Sequence, residues 1–227
     1  MPGFRLNRPD GSVAIDSNYF NLALRQKGSL VLSNIPNPGT PSFKNGAMTV
    51  AGDQCIIAYR SSHPVVIFTT KRNGGALELT FGGMSNKGNV SVDWWLFDLP
   101  QYALQYTAAG KMIVRRPSDG ATVFDSRNKY LKVMDFLSPT STVTERRSYP
   151  KLPAVVMSNY SWTNTSVGIN AGNQTLVRRS AFMARAEGND ILFGGEITGM
   201  EIYDSEFPKW AHSGGKPDLL IVDVQDY

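Results

Sequence analysis

Apolar and polar residues alternate along most of this chain in short runs, the pattern of half-buried strands. Phe4 and Leu6 on one side, and Val13 and Ile15 on the other, flank Arg8-Pro9-Asp10-Gly11. Proline pre-sets φ at the second position of a β-turn and glycine accepts the conformation that follows, so this stretch predicts a hairpin with one buried face. Comparable runs predict strands at residues 19–24, 29–32, 55–59, 65–70, 76–81 and 90–97. In the second half they fall at 154–157, 175–184, 191–193, 196–203 and 219–224. Asn73-Gly74-Gly75, Lys87-Gly88-Asn89 and Glu187-Gly188-Asn189-Asp190 are turn signals between strands. Helical periodicity is missing; the nearest candidate, residues 101–109, is short and has no N-cap residue. Residues 34–41 and 138–153, rich in Pro, Ser and Thr, read as loops.

The opening hairpin recurs. Phe4-Arg5-Leu6-Asn7-Arg8-Pro9-Asp10-Gly11 aligns with Met112-Ile113-Val114-Arg115-Arg116-Pro117-Ser118-Asp119-Gly120, Ser118 being one inserted residue. The match continues to Asp16-Ser17 and Asp125-Ser126, and Leu22 and Leu24 keep register with Leu131 and Val133. A period of about 110 residues is too long for a solenoid, whose units run to about 20–50 residues, and fits a duplicated domain. The expected architecture is therefore all-β, with two β-sandwich-like lobes related by an internal duplication. The N-terminal lobe is placed at residues 1–106 and the C-terminal lobe at 107–227, with the boundary in the stretch Gln101 to Gly110.

Charge changes this picture little. The net charge of +4 arises from 23 basic against 19 acidic residues, and the pI is about 9.2. The pairs Arg115–Arg116, Arg146–Arg147 and Arg178–Arg179 are far apart in sequence, whereas a nucleic-acid footprint gathers basic residues on one face; no nucleic-acid partner is expected. Cys55, the single cysteine, permits no intrachain disulfide and reads as a small buried residue of a strand. The opening Met1-Pro2-Gly3-Phe4 lacks a basic region followed by an apolar run, and no apolar stretch nears the ~20 residues of a membrane span. Synthesis in a reducing cytoplasm without membrane insertion is the expectation.

Candidate chemistry is sparse. His63 precedes a proline and His212 lies in a Gly-Ser loop, neither with Cys or His at ligand spacing, so no metal site, cofactor or catalytic residue is assigned. Asp93 and Asp98 bracket Trp94-Trp95-Leu96-Phe97, an acid–aromatic mix found in sugar clefts, but five residues along a strand puts them on opposite faces. Trp95 and Phe97 share one face and Trp94 takes the other, where it is expected to cover a contact between lobes or subunits. Tyr160 and Trp162 lie among Asn, Ser and Thr, and Trp210 in a loop. Trp94, Tyr160, Trp162 and Trp210 form the candidate interaction surface, for a protein or a sugar.

Two blocks carry a resemblance. Gly3-Phe4-Arg5-Leu6 with Asp10-Gly11 and Ile15-Asp16-Ser17 resembles the N-terminal hairpin of small β-rich virion proteins encoded near the tail-tip genes of long-tailed bacteriophages. Trp95-Leu96-Phe97-Asp98, then Ile113-Val114, Asp119-Gly120, Val123-Phe124-Asp125-Ser126 and Tyr130-Leu131-Lys132-Val133, resembles their central block. The resemblance covers roughly the first 135 residues and brings no catalytic residues. It implies a structural component of a tail tip or tail-fibre complex, located in the virion tail after synthesis in the host cytoplasm. Its partners would be other phage tail proteins, further copies of itself and a bacterial surface receptor. A receptor- or glycan-binding module and a tail-associated polysaccharide hydrolase are the alternatives.

Overall fold

A computed structural model describes residues 5–7, 13–16, 21–36, 42–52, 54–86, 88–104, 112–158, 161–169, 174–203, 211–213 and 217–227. In the first half the hairpin β1 (Arg5–Asn7) and β2 (Val13–Asp16) precedes β3 (Ala23–Leu32), β4 (Phe43–Ala51), β5 (Ile56–Arg60), β6 (Val65–Asn73), β7 (Ala76–Met84) and β8 (Val90–Asp98). The second half opens with the hairpin β9 (Ile113–Arg115) and β10 (Thr122–Asp125), followed by β11 (Val133–Leu137), β12 (Glu145–Ser148) and β13 (Pro153–Met157). It continues with β14 (Trp162–Ile169), β15 (Gln174–Glu187), β16 (Asp190–Tyr203), β17 (Ala211–Ser213) and β18 (Leu219–Asp223). Among the described residues the only helical turn is a 3-10 turn at Pro100–Tyr102. The fold is all-β and sandwich-like.

Two antiparallel sheets pack face to face. The first runs β11-β18-β13-β5-β8-β3 and the second β12-β16-β15-β6-β7-β4, with β14 and β17 beside β15. Each half of the chain supplies three strands to each sheet in the same order: β5-β8-β3 answers to β13-β18-β11, and β6-β7-β4 to β15-β16-β12. The registers agree as well. Leu6 faces Ile15 and Asn7 faces Val13 across an irregularity; Val114 faces Phe124 and Arg115 faces Thr122 across the same one. Leu24 and Gln26 oppose Phe97 and Leu96 around a bulge, as Val133 and Asp135 oppose Val222 and Ile221. The β6–β7 and β15–β16 turns place Gly74 and Gly188 at φ +56° and +58°. The duplication read from one turn motif therefore runs through the whole architecture. The two lobes are joined edge to edge, β5 to β13 at Tyr59–Val155 and β6 to β15 at Val65–Ala184. The sequence boundary at 106/107 lies outside the described residues.

The first sheet curls until its edges meet. The Leu24 amide donates to the Lys129 carbonyl at 2.7 Å and the Leu131 amide to the Leu22 carbonyl at 2.9 Å. Residues 130–132 close this seam through an Ala23–Tyr130 bridge. Part of the sheet's outer face is consequently buried as well as its inner face. Between the sheets lie Leu32, Tyr59, Val65, Phe81, Val92, Trp94, Leu96, Phe182, Ile191 and Ile221; within the curl lie Leu24, Ala58, Trp95, Phe97, Val222 and Val224.

That double burial corrects the placement of Trp94. The indole is only 7% exposed, in the core between the sheets, across Gly28 of the neighbouring strand. A Cβ at Gly28 would come within 2.8 Å of the Trp94 ring, so the glycine makes the room the indole occupies. Trp95 and Phe97 do share the opposite face, as alternation requires.

Candidate interaction site

Trp94 is in the core, Tyr160 and Trp210 lie outside the described residues, and Trp162 opens β14, its backbone registered opposite Ala181 of β15. Asp93 is exposed and accepts from the Ser29 hydroxyl at 2.5 Å. Asp98 is wholly buried: it pairs with Arg25 at 2.7 Å and accepts from the amides of Gln54 (3.1 Å) and Leu99 (2.8 Å). Its oxygens are committed to holding the end of β8. His63 lies in the turn between β5 and β6, its amide donating to the Ser61 hydroxyl. His212 lies on β17 with its backbone opposite Asn164. Among the described residues no group of three His, Cys, Asp or Glu side chains is placed to hold a metal.

A surface cleft of about 390 Å³ does form where β14 and β15 meet the segment before β12. Thr142, Ser161, Thr163, Ser180 and Arg178 line it with polar groups, and Val143, Phe182 and Ala181 with apolar ones. Its wall is set by a close approach. The Gly195 amide donates to the Thr142 carbonyl at 2.8 Å, and a Cβ at Gly194 would stand 2.8 Å from the Thr144 backbone. Only a glycine in β16 lets residues 142–144 lie so near the sheet. On the other wall the Phe182 amide donates to the Ser161 carbonyl at 3.0 Å, which fixes the start of β14. The cleft thus offers hydroxyls and one guanidinium above an apolar floor, a surface able to hydrogen-bond and to exclude water.

Apolar side chains of the same copy stand out into solvent. Val143 on the cleft rim is 71% exposed, and Phe136 and Val133 on β11 are 61% and 55% exposed. Their counterparts in the first copy, by register, are Lys27 for Phe136 and the fully buried Leu24 for Val133. At these two positions of the edge strand the copies therefore differ. Strand β11 is tied down by Tyr149, whose hydroxyl donates to Asp135 at 3.0 Å. Burial and then that bond to a carboxylate push the Tyr149 hydroxyl well above the ordinary phenol range, so it stays a donor. Three of the paired arginines are matched by acids: Arg146 bonds Glu187 and Asp190, Arg147 bonds Glu145, and Arg116 bonds Asp119.

Comparison with known protein families, curated proteins and solved structures found no match.

The Ser/Thr richness around Trp162 was the sequence signal for this cleft. Its other wall, residues 142–144, was hidden in a stretch that reads as plain loop; Arg178 stood out only as half of a dispersed basic pair, and Ser180 is a polar position of a long strand with nothing to mark it.

Proposed function

We propose that the chain is a structural component of a bacteriophage tail tip or tail-fibre complex, contributing to tail assembly and host attachment. In this reading the second copy, through the cleft beside β14 and the exposed Val133, Phe136 and Val143, contacts a neighbouring tail protein or another copy. The observation that carries it is that Val143, Phe136 and Val133 are the most exposed large apolar side chains among the described residues. Exposed apolar patches rimmed by polar groups mark interaction surfaces, and burying a phenylalanine contributes about 1.5–3 kcal/mol to association. The resemblance of residues 3–17 and 95–133 to tail-tip virion proteins supplies the setting. The function is then surface complementarity and not turnover, in the virion tail, after synthesis in the host cytoplasm.

Particles of the encoding phage test this directly. Antibody to the recombinant chain should detect it on a blot of purified, denatured virions. Phe136→Asp should leave the isolated protein folded and reduce its incorporation into particles by about tenfold. Absence of the chain from virions would overturn the proposal. The hydroxyl-rich cleft favours one second reading, a glycan-binding module that touches the cell surface. Saturable binding on a glycan array, lost in Trp162→Ala or Arg178→Ala, would support it.

A further inference from the structure

The duplication makes a comparison possible inside one molecule, and the two copies differ between the sheets. A cleft of about 360 Å³ lies there on the first-copy side, walled by Ile57, Ile67, Leu77, Leu79, Val156 and Met157. Its mouth carries Thr70, Ser158, Cys55 and Arg72, whose guanidinium donates to the Cys55 carbonyl at 3.2 Å. The equivalent residues of the other copy follow from the ladders. Met157 opposes Leu219 as Tyr59 opposes Trp94, and Ser158 bonds Asp218 where Arg60 opposes Asp93. Counted from the turn glycines Gly74 and Gly188, Leu79 matches Phe193.

At all three positions the residue that lines the cleft is smaller than its counterpart in the other copy. Tyr59 and Phe193 are buried in the core, 1% and 2% exposed, with the Tyr59 hydroxyl donating to the Val65 carbonyl. Arg60 straps that side shut, donating to the Pro153 carbonyl at 2.7 Å and the Gly188 carbonyl at 2.6 Å. Met157, Leu79 and Ser158 are the smaller set, and the space lies beside them. Protein interiors are close-packed, and an apolar space of this size is a cost unless something occupies it. Its volume is in the ligand-pocket range, about 300–1,000 Å³.

We propose that this inter-sheet cleft binds a small amphipathic carboxylate, its apolar chain between Leu79 and Met157 and its carboxylate at Arg72. The apolar walls select the chain. The guanidinium at the mouth supplies a charge-assisted donor pair suited to a carboxylate, and Thr70 adds a hydroxyl. This assignment is independent of the virion reading.

Decanoate and decanol are the probes, titrated against the full chain by calorimetry. Decanoate should bind saturably with one site, and Arg72→Gln should weaken it about tenfold while leaving decanol unchanged. Leu79→Phe with Met157→Tyr, which installs the other copy's residues, should abolish binding of both and raise the melting temperature. In the unaltered protein decanoate should slow alkylation of Cys55, the chain's one thiol, which lines the cleft. No saturable binding of either probe, undiminished binding in the filled variant, or no protection of Cys55 would each overturn the site. Equal loss of decanoate and decanol in Arg72→Gln would overturn the carboxylate assignment.

Discussion

Asp119 illustrates how much of this molecule's polar chemistry serves its turns. Its carboxylate accepts from the Arg116 Nε at 2.9 Å and from the Ala121 amide at 3.2 Å, and Gly120 follows at φ +72°. The Arg116 guanidinium, and then the backbone amide, hold the Asp119 carboxyl at about 2, below its ordinary 3.8. A folded value below the unfolded one means the turn's ion pair contributes fully above about pH 4 and is lost as pH falls through about 2. Carboxylate-detected NMR should place its titration near 2, and Arg116→Ala should return it toward 3.8. An unaltered titration in that variant would show that the arginine does not hold it. The Asp-Gly of this turn was legible in the sequence because its residue types have one common use. The burial of Asp98 was not, because the same acid beside aromatics serves a cleft or a strand end equally well. Only its partners decide between them, and two of these, Arg25 and Gln54, are distant in sequence.

Strands β4, β12 and β14 escape the apolar–polar pattern, and for one reason. Each carries polar residues where a half-buried strand alternates: Lys44-Asn45-Gly46 in β4, Glu145-Arg146-Arg147-Ser148 in β12, Thr163-Asn164-Thr165-Ser166 in β14. Strands β4 and β12 are the two ends of the second sheet's main path, where one flank meets solvent and charge on an edge is tolerated. The 191–193 and 196–203 runs, by contrast, are one long strand, because Gly194-Gly195 reads as a break and is instead a site of close packing. That packing is testable. Gly194→Ala should push residues 142–144 off β16, break the bond from the Gly195 amide to Thr142, and cost about 1–3 kcal/mol. Amide exchange at Gly195 should quicken sharply while exchange at Ile221 keeps pace only with the global loss. Unchanged protection at Gly195 would contradict the account of the cleft wall. Trp94 misleads for a related reason: alternation gives a strand two faces but cannot say that a curled sheet buries both.

Taken whole, the chain is two copies of one three-plus-three strand unit sharing both sheets, and this has a consequence for cooperativity. The seams at β5–β13 and β6–β15 lie in the middle of each sheet, and the core between the sheets draws residues from both halves. Unfolding one copy would strip the other of its sheet neighbours and half its core. Urea denaturation followed by amide exchange in β8 of the first copy and in β18 of the second should therefore give one coincident transition. Two separated transitions would show that the copies stand alone. The duplication also frees the second copy to diverge: Phe136 in place of Lys27 and an exposed Val133 in place of the buried Leu24 turn one edge outward. That edge is what the proposed role in a phage tail rests on, and location is its sharpest test. Immunogold electron microscopy of intact particles, with antibody raised to the recombinant chain, should place gold at the distal end of the tail. Unlabelled tails on particles whose blots also lack the chain would contradict it, and the protein would then be a binding module that works apart from the virion.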